Sequence, residues 1–495
     1  MDPRADLVLA NRAYCDHDLP PGEGPAVSPG HGGLLAALRS AIVPWDGRSG
    51  TTWIGSGRGS CDRQYTDEHG YELIDTARGA LRHQRLYFDE DTWRGHYSET
   101  ANSFLWPLLH LVREPLPRVA DYYPHPHTPP LAAWHSYERV NSAFARAAVE
   151  NHPARSCWVH DYQLALAPAL LRERALAVPI GFFLHTPFPD IHVASHFLDP
   201  TGRDYLRQFV AGLLGSDLVG FQSAPDRERF HSAALELGLA EVAGEEMFVQ
   251  GRRMRTGVYP VGVDLEEVVE AARTARLPAG VTEAASSGLP LVIGLERADF
   301  TKGIPERLEA VARLWREGVP FAYVGAAAPT RDGVPAYDEL GPAISRAAAG
   351  CTEAAKSAGG RFLFFEEAMS WEEVVALQRE ADVVFTSSLA DGMNLVPLQA
   401  AVAQSLRPGS RRAVIITGRD AGVAHTFAGY EEDGLVAVDP LDAEAMALTL
   451  RAALAGQPGR VSDRLIASVR GNDARNWAAR FLSDLEGAHA HARSH

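Results

Sequence analysis

Short β-branched runs alternate along this chain with longer segments of helical period, the pattern of a parallel sheet covered by helices on both faces. In the first half the runs are Leu7–Ala10, Cys157–Val159, Ile180–Leu184 and Leu218–Phe221. In the second they are Leu291–Leu295, Phe321–Val324, Val383–Thr386, Val414–Thr417 and Leu435–Val438. The fold class is therefore α/β, with strands enough for two sheets. A chain of 495 residues exceeds one ordinary core and divides into two large domains. The stretch Leu277–Pro290, LPAGVTEAASSGLP, is rich in Gly, Pro, Ser and Ala and reads as a linker, which sets the domains at 1–280 and 281–475. The Pro/His stretch Tyr122–Pro130 reads as a loop inside the first domain, because helical periodicity resumes at once.

Composition narrows the function. A formal charge of −16 repels a phosphodiester backbone, and no local basic patch offsets it, so no nucleic-acid partner is expected. No run reaches the roughly 20 apolar residues of a membrane span. Met1–Ala10, MDPRADLVLA, is unlike a secretory leader, and a cytoplasmic protein without membrane contact is the expectation. Cys15, Cys61, Cys157 and Cys351 show neither CxxC pairing nor metal-ligand spacing and read as reduced thiols. The tail HAHARSH reads as a solvated terminus rather than a metal site. Of 47 basic residues, all but Lys302 and Lys356 are arginine, so a lysine here calls for a reason.

In doubly wound sheets ligands bind beyond the carboxyl ends of strands, where loops enter helix N-termini. The strand Leu291–Leu295 runs into Glu296-Arg297-Ala298-Asp299-Phe300-Thr301-Lys302-Gly303, and Pro305 then opens a helix with Leu308, Val311 and Leu314 at helical spacing. Two cations beside free helix N–H groups suit a diphosphate, and Arg297 and Lys302 can neutralise charge developing on a leaving group. A surface loop with chance charges would look the same. After the strand Val383–Thr386 comes Asp391-Gly392-Met393-Asn394-Leu395-Val396, in which Asp391 can accept from sugar hydroxyls while Asn394 and the following amides face phosphates. A plain Asp-Gly turn or helix cap is the alternative. The Gly-rich stretch Ser28–Gly33 before a helix admits close approach of an anion, or is only a turn. In the first half His160-Asp161-Tyr162 and His185 sit at strand ends, as ligand contacts or as capped, satisfied polar groups.

Taken together and in order, these segments resemble the trehalose-6-phosphate synthase family of retaining glycosyltransferases. The resemblance rests on Asn11-Arg12, Gly32-Gly33, FLWP ending at Pro107, WVHDYQL from Trp158, IGFFLHTPFP from Ile180, VGFQS from Val219, VYPVGVD from Val258, RADFTKGIPER from Arg297 and DGMNLV from Asp391. It implies a glycosyltransferase type-B fold, two Rossmann-like domains facing a cleft, with a C-terminal helix in 476–495, near Trp477–Leu485, crossing back to the first domain. It implies a donor, UDP- or GDP-glucose, held by the second domain: Arg297 and Lys302 on the diphosphate with Gly33 nearby, and His185, Asp391, Met393, Asn394 and Leu395 around the glucose. Pro329 would border the base, with Val396 and Gln399 also on the donor side. The implied acceptor is a sugar phosphate, glucose 6-phosphate, at Arg12, Trp53, Tyr97, Trp106 and Asp161, with Arg331 as second phosphate cation. Two residues depart from the family pattern. Gln399 stands where a glutamate normally meets the ribose, and Ala390 where many members carry arginine.

The resemblance implies retention at the anomeric carbon. No DxD-like acidic pair accompanies the motifs, so neither metal nor cofactor is expected, and Arg297, Lys302 and helix N-termini supply the electrostatics. A homo-oligomer is compatible with the sequence. Two alternatives stand beside this reading: a related transferase with an altered donor or acceptor, such as a cyclitol or glycerol phosphate, and a non-catalytic sugar-phosphate sensor.

Overall fold

The β-branched runs form strands, and their order in space makes one sheet in each half of the chain. The computed structural model describes residues 7–18, 26–29, 33–39, 50–76, 79–113, 122–331 and 333–492. Two compact units divide the chain: Met1–Arg113 with His125–Tyr259 and Ala474–His495, and Glu114–Pro124 with Pro260–Asp473.

The second unit holds six parallel strands, in spatial order Arg361–Phe365, Ala322–Ala328, Leu291–Arg297, Val383–Phe385, Val414–Gly418 and Leu435–Val438. In chain order this is third, second, first, fourth, fifth, sixth, the arrangement of a dinucleotide-binding sheet. Val292, Ile293, Val324, Val384 and Ile415 are buried, as residues of strands covered on both faces must be. The helix Ile304–Arg316 turns Leu308, Val311, Leu314 and Trp315 inward. Arg307 lies on the same inward face, wholly buried, and forms an ion pair with Glu296 while donating to the Tyr323 hydroxyl (3.2 Å) and Ser387 Oγ (3.1 Å). The stretch Leu277–Pro290, read above as a linker, is folded: its helix Ala279–Ala285 buries Val281 and Ala284 beside the strand Ala322–Ala328. Their spacing of three puts the two on one helix face.

The first unit contains a ten-stranded sheet, parallel from Arg252–Val258 through Leu218–Phe221, Ile180–Phe183, Cys157–His160, Leu7–Arg12 and Thr52–Ser56 to Gly79–Leu86, with antiparallel strands at both edges. The C-terminal helix Ala474–Ala492 packs Trp477, Phe481 and Leu485 against this sheet. Glycine makes that approach possible, since a Cβ at Gly181 or Gly220 would lie 2.8 Å from the Phe481 ring. Ser28 and Pro29 close a short antiparallel ribbon with Cys15–Asp18, while Gly30, His31 and Gly32 of the Gly-rich stretch lie outside the described residues. Among the described residues no helix is long and apolar enough to cross a membrane.

Candidate active site

In the second unit the strand order reverses between Leu291–Arg297 and Val383–Phe385, and their carboxyl ends bring the two charged loops together. Lys302 Nζ donates to Asp391 in an ion pair whose side chains are only 13% and 16% exposed. The Leu389 amide donates to the Thr301 carbonyl at 2.7 Å, which ties loop to loop. Gly303 adopts φ 58 and precedes the helix Ile304–Arg316; a Cβ there would sit 2.5 Å from the Ser387 carbonyl oxygen. Asn394, also at positive φ (61), caps the helix Leu395–Gln404 by accepting from the Val396 amide (3.2 Å). Its Nδ2 reaches Ser388 Oγ (3.1 Å) and Glu296 Oε1 (3.4 Å), and Ser388 Oγ in turn donates to Asp391 Oδ2 (3.2 Å). Such backbone strain persists only where the surroundings over-determine it, and here the cap, Ser388 and the buried Glu296–Arg307 pair do so. Ser388 and Glu296 have no signature in the sequence; only the fold shows them behind Asp391 and Asn394.

Around this centre Arg297 is exposed, 3.4 Å from Thr330 Oγ1, and Pro329 is exposed beside it. Met393 is buried, and Leu395 and Val396 are half-buried. Gln399 projects from the same helix, and its amide oxygen accepts from Gln378 Nε2 at 3.5 Å. Arg331, at φ 57, is turned onto the buried Asp299 (2.5 Å) and the Tyr337 hydroxyl, so in this structure its charge is spent within the second unit. The loop as a whole can hold an anion: two cations and two helix N-termini supply positive potential, and Asp391 offers an acceptor beside them.

In the first unit Arg12 ends its strand with the guanidinium exposed, 3.4 Å from the Tyr97 hydroxyl. Tyr97 lies in the π-helix Arg94–Leu105, stacked on Trp93 with centroids 5.2 Å apart. Trp106 follows, half-buried, tilted against Tyr162 (5.6 Å) and His110 (4.2 Å). Trp53 does not join them as a stacking face: it is 0% exposed, and its indole N–H donates to the Arg12 carbonyl (3.0 Å), holding Arg12 from behind. Asp161 takes φ 70 directly after its strand, and its Oδ1 accepts from the His185 amide (3.2 Å). His185 Nε2 faces His160 Nδ1 at 3.2 Å. Burial pushes His185 down to about 3 and His160 well below its usual range, so both rings are neutral near pH 7. Gly33 begins the short helix Gly33–Arg39 in this unit.

One His/Cys/acid cluster escaped the spacing rules. Cys15, His17 and Glu72 place ligand atoms within 4.8 Å of one another across strands distant in sequence. Arg85 already supplies the positive charge there, pairing with Glu72 (2.6 Å) and Asp62 (3.0 Å) and donating to Cys15 Sγ (3.6 Å), and burial raises the Cys15 thiol to about 11. A buried guanidinium and a thiol that resists ionisation oppose a metal ion at this point.

The family model of Glycosyltransferase family 20 matches residues 27–487. A UDP-forming α,α-trehalose-phosphate synthase of Yarrowia lipolytica is 28% identical over 425 residues, covering 81% of this chain and 84% of the relative. One from Aspergillus fumigatus is 28% identical over 430 residues, 82% of this chain and 77% of the relative. Among solved structures, a UDP-forming α,α-trehalose-phosphate synthase from Burkholderia vietnamiensis superposes with a TM-score of 0.80 at 26% identity, over 99% of this chain and 98% of that one. Another, from Burkholderia xenovorans in complex with glucose-6-phosphate, gives 0.77 at 25% identity over 97% and 100%. The fold is thus the glycosyltransferase type-B fold expected from the motifs. By a match that spans nearly all of its length, this chain belongs to glycosyltransferase family 20.

Proposed function

We infer that this protein is a retaining glycosyltransferase that makes α,α-trehalose 6-phosphate from a nucleoside-diphosphate glucose and glucose 6-phosphate. The observation that carries the reading is the meeting of Lys302, Asp391 and two helix N-termini at the switch point of the second unit's sheet, with Arg297 beside them. The second unit then takes the donor and the first the acceptor. Arg297 and Lys302 bind the diphosphate and hold the charge that grows on it as the bond from C1 to the phosphate oxygen breaks. Asp391 and Asn394 orient the glucose, with Met393, Leu395 and Val396 lining it and Gln399 on the ribose side. Arg12 and Tyr97 grip the acceptor phosphate, Trp106 faces the sugar ring, and Asp161 with His185 fixes hydroxyls. The departing phosphate oxygen takes the proton of the acceptor hydroxyl as the new C1–O bond forms on the same face, so no protein base is needed.

The relatives are named UDP-forming, which makes UDP-glucose the first donor to offer. Gln399 favours a second reading in which the donor differs, because a neutral amide already engaged by Gln378 replaces the charged acceptor of the family pattern. Purified protein should convert glucose 6-phosphate and one of UDP-, GDP- or ADP-glucose into an α,α-1,1-linked disaccharide phosphate, identified by mass and anomeric NMR signals. Turnover with other donors or acceptors alone would establish the second reading, and ligand binding without any turnover would leave a sensor.

A further inference from the structure

His160 and His185 share one hydrogen bond, and burial keeps both rings neutral. Two neutral imidazoles sharing a bond carry one proton between the facing nitrogens, so two arrangements exist. In one, His185 Nε2–H donates to His160 Nδ1, and His160 then bears its proton on Nε2. In the other, His160 Nδ1–H donates to His185 Nε2, and His185 bears its proton on Nδ1.

The surroundings of His160 discriminate between them. His160 is 0% exposed, with its ring 4.3 Å from Trp158 and 6.4 Å from Trp477 by centroids. His160 Nε2, Trp158 Nε1 and Trp477 Nε1 are all buried without a hydrogen-bond partner. The indole nitrogens can only donate. A proton on His160 Nε2 would make a third buried donor without a partner beside the two indoles, whereas the bare nitrogen is an acceptor that one water can bridge to an indole N–H. An unsatisfied buried donor carries its full desolvation cost, so the bare Nε2 is preferred. We propose that His160 is a positioning residue that holds the His185 ring in its Nδ1–H tautomer. His185 is half-buried and its Nε2 is taken, so Nδ1–H is then the group it offers a sugar oxygen. The link to a sugar rests on the function proposed above; the tautomer does not.

The test labels the histidine nitrogens of the full chain and reads each ring's tautomer from long-range proton–nitrogen correlations, with His185→Phe assigning the signal. His185 should appear as Nδ1–H in the unaltered protein, and an Nε2–H signal there overturns the proposal whatever the activity. His160→Phe removes the donor and should return His185 to the Nε2–H form that free imidazole side chains favour. His160→Asn sets an amide N–H where Nδ1–H stood and should restore Nδ1–H. With UDP-glucose and glucose 6-phosphate, kcat should fall about 10- to 100-fold in His160→Phe with KM nearly unchanged, and recover in His160→Asn. A changed tautomer with unchanged kcat would overturn the positioning role. Correct tautomers throughout with no turnover in any protein would defeat the trehalose-phosphate reading alone and leave the assignment of His160 standing.

Discussion

Lys302 and Asp391 neutralise each other in the structure, and a bound diphosphate would compete for the same ammonium. Lys302→Ala should therefore lower kcat by about 10²–10³-fold, the usual cost of one preorganised charge-stabilising group, as measured in initial rates at saturating substrates. Arg297 gives the cleaner separation of roles. Its side chain is exposed and ends on Thr330, so Arg297→Ala should leave the free energy of urea unfolding within about 0.5 kcal/mol of the unaltered protein while turnover falls; wild-type rates would remove it from the site. Trp53 shows how far residue-level reading reaches. The motif order suggests an aromatic near Arg12, but every residue of Thr52–Ser56 is buried, so neither face of that strand meets solvent. No period-2 pattern distinguishes a ring that faces a ligand from one that props a neighbour. Trp53→Phe removes the indole N–H bonded to the Arg12 carbonyl and puts a smaller ring in a fully buried site, so about 1–2 kcal/mol of stability should go, together with a raised KM for the sugar phosphate.

The loop-to-helix turn at Gly303 is an element built on one residue. At φ 58, with a would-be Cβ 2.5 Å from the Ser387 carbonyl, alanine is both strained and crowded. Gly303→Ala should cost about 1–3 kcal/mol in urea unfolding and carry Lys302 out of line, so that kcat falls with it. An unaltered midpoint would show that the turn relaxes freely. Buried strands were the legible part of the fold: Leu218–Phe221 matches its apolar run end to end, because a strand covered on both faces must be apolar, and the edge strand Leu435–Val438 matches too, although Ala437 is exposed. Gly79–Leu86, GALRHQRL, was illegible for the opposite reason. Its His83 and Arg85 are buried but satisfied by Glu72 and Asp62, partners that only the folded sheet assembles. Arg252–Val258, RRMRTGV, hides in the same way, since Arg252 donates to the Ser216 carbonyl and pairs loosely with Asp217. The loops of the candidate site were legible because their residue types are rare in combination, whereas the Ser388 and Glu296 supports behind them are ordinary residues placed by topology.

Buried histidines are distributed unevenly over the molecule, and that asymmetry sets its response to acid. The first unit holds His83, His96 and His160 buried and His185 half-buried, all as neutral rings. Burial is the leading cause in each, partly opposed at His83 by its bond to Glu72. The second unit has one histidine, His425, and it is exposed. A histidine whose folded pKa lies below its unfolded value of 6.5 binds its proton more readily when unfolded. Its neutral, folded form is therefore undisturbed above pH 6.5, and stability falls as pH drops toward the folded values, about 4 for His83 and about 3 for His96 and His185. Each such ring costs about 1.4 kcal/mol per pH unit once below 6.5. Glu72 adds to this at lower pH: burial alone would raise it, but His83, Arg85 and His17 pull it down to about 2, so its contribution is lost from about pH 4.5 downward. Four rings pull in the same direction against a stability of about 5–15 kcal/mol, so the first unit should lose protection at a higher pH than the second. Hydrogen exchange followed from pH 7 to pH 4 reads this directly. Peptides from Leu131–Glu150 should lose protection before those from Ile304–Arg316, and the reverse order, or a single joint transition, would mean that the four histidines do not govern acid stability.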